Sequence, residues 1–158
     1  MNNKRELTLR FLAEPGDVNF GGKVHGGAVM KWIDLAAYAC ASGWSSSYCV
    51  TAYVGGIQFQ APLFIGNLVE VEARVIYTGK TSMHLAIDVI GCDPKQCHRV
   101  TTSSCIIVMV AVGEDGKPVE VPHWEPITAK DKRLEDMAKK LMEMRKHMQD
   151  ELKGAAEA

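Results

Sequence analysis

Residues 25–41, HGGAVMKWIDLAAYACA, read as a helix with almost no polar side. Met30, Trp32, Ile33, Leu35 and a run of alanines fall all around the helical period,. A surface helix keeps its carboxylates on a polar stripe, whereas a helix apolar on every side is buried. Asp34 interrupts this pattern. An ionised carboxylate among such neighbours needs a partner or hydrogen bonds to offset its lost hydration. The stretch predicts a buried helix that keeps one carboxylate for a purpose.

The order of segments around that helix sets the fold class. Leu7, Leu9, Phe11 and Ala13 alternate along one half-buried strand that Pro15 ends,. The glycine-rich loop PGDVNFGGKVHGG leads into the helix, expected from about Gly26 to Ser42 with Gly43 as its stop,. Four strand-like segments follow at Cys49–Gln60, Leu68–Thr78, Ser82–Cys92 and Arg99–Val112,. Breaks such as GK and DPKQC are too short for a crossover, so the sheet must be antiparallel,. A single sheet covers only part of a cylinder, so a helix apolar all round calls for a curled sheet and a second subunit. From Lys130 to Lys153 a charged helix carries Leu134, Met137, Leu141, Met144 and Met148 as an apolar stripe,. The reading is one α+β domain spanning residues 1–158, with a core over about 6–128 and a C-terminal helix over about 130–153.

Composition narrows the function classes. A chain of 158 residues with 47% apolar and 23% charged residues is ordinary globular material,. A formal net charge of −1 leaves no electrostatic footprint for general nucleic-acid binding,. MNNKRELTLRF lacks the apolar run of a secretory signal, and no stretch approaches the roughly 20 apolar residues of a membrane span,. Five irregularly spaced cysteines make no disulfide framework, so the expectation is a cytoplasmic protein with reduced thiols,. CDPKQCH holds Cys92, Cys97 and His98, an incomplete ligand set for a metal, and its Asp-Pro step reads as a turn between strands,.

The chemistry concentrates at the helix start. Free N–H groups and the helix dipole favour a polarised oxygen there. Gly26 and Gly27 let a ligand approach that backbone closely,. A carbonyl docked on those groups would be polarised as in an oxyanion hole. Asp34 projects from the same helix as a carboxylate base, and Asn19 offers an amide from the loop, a set suited to acyl transfer to water,. Each residue also has a plainer reading. Asp34 can pair with Lys31, Asn19 can serve as a turn residue, and Gly-Gly can be a tight approach to the helix,. His25 can act as a base or hydrogen-bond locally and shape the loop.

Asn19, then His25-Gly26-Gly27, then Asp34, at these intervals, resembles the signature of hot-dog-fold acyl-CoA thioesterases. YTGKTSM, FQAPLFIGNLVEVEARV and VMVAVGEDGKPVEVP are similar to the bacterial and brain-type acyl-CoA hydrolase branch. The resemblance implies a five-stranded antiparallel sheet curled around a long central helix. It also implies dimers joined edge to edge as the catalytic unit, and hexamers built as trimers of dimers. The substrate would be acyl-CoA, with no cofactor and no metal. Asp34 would be the general base or nucleophile, paired with Asn19 across the interface, while Gly26 and Gly27 polarise the carbonyl. His25 and the turn Gly79, Lys80, Thr81 and Ser82 would meet the substrate and its coenzyme A moiety. Lys80 stands where arginine is frequent, and supplies charge without a bidentate fork,. GKTS does not fit a P-loop, since Arg74 occupies the first glycine position and the turn joins two strands,. Two rivals are a hot-dog dehydratase, disfavoured by the absence of proline around His25, and a non-catalytic acyl-CoA sensor, disfavoured by the presence of both Asn19 and Asp34.

Overall fold

The computed structural model describes residues 4–96 and 98–156, so Cys97 lies outside the described residues. Strands β1 (Glu6–Leu12), β2 (Tyr48–Phe59), β3 (Leu68–Thr78), β4 (Ser82–Cys92) and β5 (Arg99–Val112) form one antiparallel sheet in the order β1-β3-β4-β5-β2. The turns between β3, β4 and β5 are short enough that these strands pair as consecutive hairpins,. Strands β1 and β2, separated in sequence by helix α1 (Gly26–Ser45), take the two edges. Helix α2 (Ala129–Ala156) follows the sheet. The α+β architecture expected from the order of segments is the one the chain adopts.

The sheet curls because its ladders are interrupted. Register shifts fall between Thr51 and Tyr53 and between Gly55 and Gln58 in β2, and between Val75 and Tyr77 in β3. Such bulges bend a strand and strengthen its right-handed twist. Gly56 at one of them has a φ of 66°, a conformation that glycine adopts without a Cβ penalty,. The curled face holds α1.

Helix α1 has two different apolar faces. Ala28, Val29, Trp32, Ile33, Ala36, Ala37, Cys40, Ala41 and Trp44 are buried against the sheet, a repeating pair of positions every turn. The small residues among them let the helix axis lie close to the strands. Met30, Leu35 and Tyr38 lie on the other side and are exposed. Asp34 is exposed with them, which corrects the expectation of a carboxylate buried within its own chain. Five strands can cover one side of a helix, and Asp34 lies on the side left over. The stop expected at Gly43 is also displaced. The helix continues to Ser45 and ends where Ser46 adopts a φ of 53° and donates its N–H to Ser42 O at 2.9 Å. Trp44 accounts for the extra turn, since its ring is buried and its indole N–H donates to Pro122 O at 3.0 Å.

Helix α2 lies on the outer face of the sheet. Leu134, Ala138 and Leu141 pack against Ile76, Tyr77, Ala86 and Ile106. Met137, Met144 and Met148, expected on the same stripe, are exposed instead. Met137 falls between Leu134 and Leu141 along the chain but on another face of the helix, while Met144 and Met148 follow the last packed residue, Leu141. His84 sits in this layer, its ring edge-on to Tyr77, and burial pushes it down to about 4, with the charge of Arg145 acting in the same direction.

One buried carboxylate ties the start of α2 to the start of β1. Asp131 accepts from Arg5 Nη2 at 2.5 Å and from the backbone N–H groups of Thr128 at 3.0 Å and Ile127 at 3.3 Å. Thr128 Oγ1 in turn accepts from Asp131 N–H at 3.1 Å, a reciprocal cap,. The Arg5 guanidinium stacks over the Trp124 ring at 4.2 Å. The Arg5 hydrogen bond, followed by the Thr128 N–H, holds the Asp131 carboxyl well below the usual carboxylate range. A depressed carboxyl stabilises the fold fully above its unfolded pKa of about 4 and loses that contribution as pH falls toward the folded value. Asp131→Asn should therefore lower the thermal midpoint at neutral pH, and the gap to wild type should narrow steadily as unfolding is measured below about pH 4. A pH-independent gap would mean the carboxylate charge is not what matters there.

Candidate active site

The loop before α1 is organised by Asn19. Its Oδ1 accepts from Gly21 N–H at 2.9 Å and Lys23 N–H at 3.2 Å, and its own N–H donates to Lys23 O at 2.7 Å. Asn19 is thus the turn residue of its plainer reading. The same bonds engage the carbonyl end of the amide and leave its NH₂ end to donate elsewhere.

His25 caps the helix. Its Nδ1 accepts from Ala28 N–H at 3.0 Å, which is the local role weighed for it. A Cβ on Gly27 would stand 3.1 Å from that nitrogen, so glycine there leaves room for the cap. The N–H groups of Gly26 and Gly27 find no backbone acceptor among the described residues. They remain two donors at the positive end of the helix dipole, both on exposed residues,. A groove of about 430 Å³ runs beside them, lined by Asn19, Val24, Gly26, Val29 and Phe59 among others.

Asp34 is held from the sheet rather than by Lys31. Thr51, on edge strand β2, donates its hydroxyl to Asp34 Oδ1 at 2.5 Å. Thr51 Oγ1 also lies 3.4 Å from Met109 Sδ on β5, so the hydroxyl sits between the carboxylate and the thioether. Sequence reading missed Thr51. A threonine in a strand of mixed polarity carries no signal of its own, and only the fold brings it under α1. Among the described residues Asn19 lines the groove at the helix start and Asp34 does not.

The turn at Gly79, Lys80, Thr81 and Ser82 closes the β3–β4 hairpin, with Gly79 N–H donating to Ser82 O at 2.9 Å. A Cβ at Gly79 would lie 2.7 Å from Ser82 Oγ, so a side chain there would make the Ser82 hydroxyl turn away. Lys80 pairs with Glu120 at 3.3 Å, both side chains more than 70% exposed. An ion pair this exposed holds its lysine weakly.

Known proteins match this fold and these intervals. A family model described as the thioesterase superfamily matches residues 21–98. Protein VdlD of Helicobacter pylori is 36% identical over 90% of this chain and 82% of its own. The acyl-CoA thioester hydrolase YciA of Salmonella typhimurium is 33% identical over 74% of this chain and 90% of its own. A solved apo-hexameric acyl-CoA thioesterase is 34% identical with a TM-score of 0.87, covering 91% of this chain and 92% of that one. An acyl-CoA hydrolase from Staphylococcus aureus, solved with butyryl-coenzyme A and coenzyme A, is 26% identical with a TM-score of 0.87, covering 97% and 93%. Solved variants of that hydrolase carry alanine at an asparagine, at an aspartate 15 residues later, and at a threonine 17 residues after that. Asn19, Asp34 and Thr51 stand at the same two intervals, 34 − 19 = 15 and 51 − 34 = 17. The chain belongs to the thioesterase superfamily. Within it, this is an enzyme of the hot-dog acyl-CoA thioester hydrolase kind.

The cap can be tested apart from the chemistry. His25→Ala should lower stability by about 1 kcal/mol, as loss of a helix N-cap does. Denaturant unfolding measures this, and an unchanged midpoint would show that the Ala28 contact contributes nothing.

Proposed function

We propose that the protein hydrolyses acyl-CoA thioesters at a site completed by a second copy of the chain. One observation carries this reading. Gly26 and Asp34 are 34 − 26 = 8 residues apart on one helix, about 12 Å at the helical rise, too far for one carbonyl to meet both,. The uncovered side of the molecule supplies the means. Met30, Leu35 and Tyr38 on α1 and Tyr48, Val50, Val54 and Phe59 on edge strand β2 are exposed together. An unpaired edge strand beside an apolar patch of this kind suits a partner. The hexameric thioesterase among the similar structures supports a homo-oligomer; within it the proposed catalytic unit is a dimer.

In this arrangement the thioester oxygen accepts from Gly26 and Gly27 N–H, with the Asn19 amide donating beside it. Asp34 comes from the partner subunit. Thr51 occupies one of its oxygens, leaving the other to take a proton from water or to attack the carbonyl itself. As the oxygen nucleophile bonds to the carbonyl carbon, the π pair moves onto the oxygen held by the N–H groups. Collapse of that intermediate breaks the C–S bond and releases coenzyme A as thiolate, which takes up the proton that Asp34 removed from water. If Asp34 itself attacks, water then cleaves the acyl anhydride on Asp34, giving the free acid and restoring the carboxylate. The interval shared by Asn19, Asp34 and Thr51 with the three replaced residues of the Staphylococcus aureus hydrolase supports these assignments. The turn around Lys80 is the candidate contact for coenzyme A phosphate.

Asp34→Asn should reduce thiol release by about 10²–10⁴, the usual cost of losing a general base. Asn19→Ala should be similarly weak. Mixing these two variants under conditions of subunit exchange should restore part of the activity, because a mixed dimer holds one intact site. No recovery despite proven exchange would place both residues in one chain's site.

Lys80 and Glu120 should have opposite effects. Lys80→Ala ought to raise KM with little change in kcat, since it removes contact to a non-reacting part of the substrate. Glu120→Ala frees the lysine and should lower KM. Both effects should fade as salt rises, and the Lys80 effect should be absent on an acyl-pantetheine that lacks the nucleotide.

A further inference from the structure

Two grooves meet at a single short segment. The first is the 430 Å³ groove beside the start of α1, and a second of about 300 Å³ lies beyond it, against Phe64, Gly91, Cys92 and Thr102. Both volumes fall within the range of about 300–1,000 Å³ typical of ligand pockets. Ala61, Pro62 and Leu63 line both, so this segment is their common wall.

The wall is anchored through its backbone. Leu63 O accepts from Val24 N–H at 2.9 Å, and the N–H groups of Gln60 and Ala61 both donate to Thr102 O, at 2.8 and 3.3 Å. Its side chain has a separate seat. Leu63 is 3% exposed and rests on Gly91 of β4, where a Cβ would lie 2.3 Å from Leu63 Cδ2. Glycine inside a strand weakens it and marks a close approach. Here the close approach is that of Leu63.

We propose that the first groove receives the acyl chain of the thioester and that Leu63, seated on Gly91, closes its far end and sets the longest chain accepted. The assignment rests on the reading that the carbonyl docks at Gly26 and Gly27. Gly26 lines the groove, so a carbonyl held there stands at its mouth. Behind it the wall is Val24, Val29, Phe59 and Leu63, and an alkyl chain gains by leaving water for such a surface,. Lys23, Gln60 and Ser103 also line the groove, and Leu63, in the segment shared with the second groove, marks the end that the chain would reach.

The test is thiol release from straight-chain acyl-CoAs of increasing length by the full-length wild type, Leu63→Ala and Gly91→Ala. Leu63→Ala joins the two grooves. Relative to short chains, kcat/KM for chains two or more carbons beyond the wild-type optimum should rise about tenfold or more, since one methylene is worth about 10-fold or more in a hydrophobic pocket. Gly91→Ala unseats the Leu63 side chain and pushes it into the first groove, so the optimum should move to shorter chains. Leu63→Val, which leaves the backbone anchors untouched, should move in the same direction as Leu63→Ala by a smaller factor, and stands in for it if alanine proves too disruptive to fold. A folding defect lowers all lengths alike, whereas a groove wall moves the profile in opposite directions in the two kinds of variant. A length profile unchanged in the folded variants, or shifted the same way in both kinds, overturns the role of Leu63. Failure of the underlying site reading is seen separately, as Asp34→Asn activity near that of wild type at every length.

Discussion

Close packing of α1 on the sheet is the constraint from which the rest of the molecule follows. Ala36, Ala37 and Ala41 have no exposed surface, and with Cys40 they let the helix lie directly on the strands. A sheet of five strands, even one bent by bulges in β2 and β3, closes over one side of a helix only. The opposite side keeps Met30, Leu35 and Tyr38 and, among them, Asp34. Apolar surface and a carboxylate are thereby delivered to the same exposed strip. A second copy covering that strip would bury its apolar residues and, in the proposed site, bring Asp34 to the partner's Asn19 with one interface.

The same strip explains why Thr51 matters. An edge strand presents side chains to the helix and unpaired backbone to its surroundings. Thr51 spends its one hydroxyl proton on Asp34 and lies against Met109 Sδ, while the carboxylate stays exposed. Asp34 is positioned by a neutral donor.

Charge elsewhere is arranged to hold elements together. Asp131 draws the end of the sheet–helix connection onto Arg5, and Glu70 on β3 accepts from both Arg10 of β1 and Arg99 of β5. These carboxylates are ringed by guanidinium and backbone N–H groups, which keep them ionised. Asp34 has no such ring. The contrast separates carboxylates that hold elements together from the one proposed to act on the thioester.

Several features were legible in the residues alone. Alternation at Leu7, Leu9 and Phe11, the β-branched runs of the later strands and the short breaks between them dictate an antiparallel sheet, because pairing period and loop length are local properties. The His25-Gly26-Gly27 start of the first helix and the presence of a C-terminal helix were equally plain. Tertiary structure decided what depends on residues distant in the chain. Gly43 reads as a stop, yet the helix continues because Trp44 finds Pro122 far along the chain. The methionines read as one stripe with Leu134 and Leu141 are exposed, because the face that meets the sheet runs through Leu134, Ala138 and Leu141 instead. Asp34 was visible as a carboxylate out of place, but its exposure and its bond to Thr51 were not. Which face of a helix stays bare is set by how far five strands can curl, and no local pattern in the sequence records that.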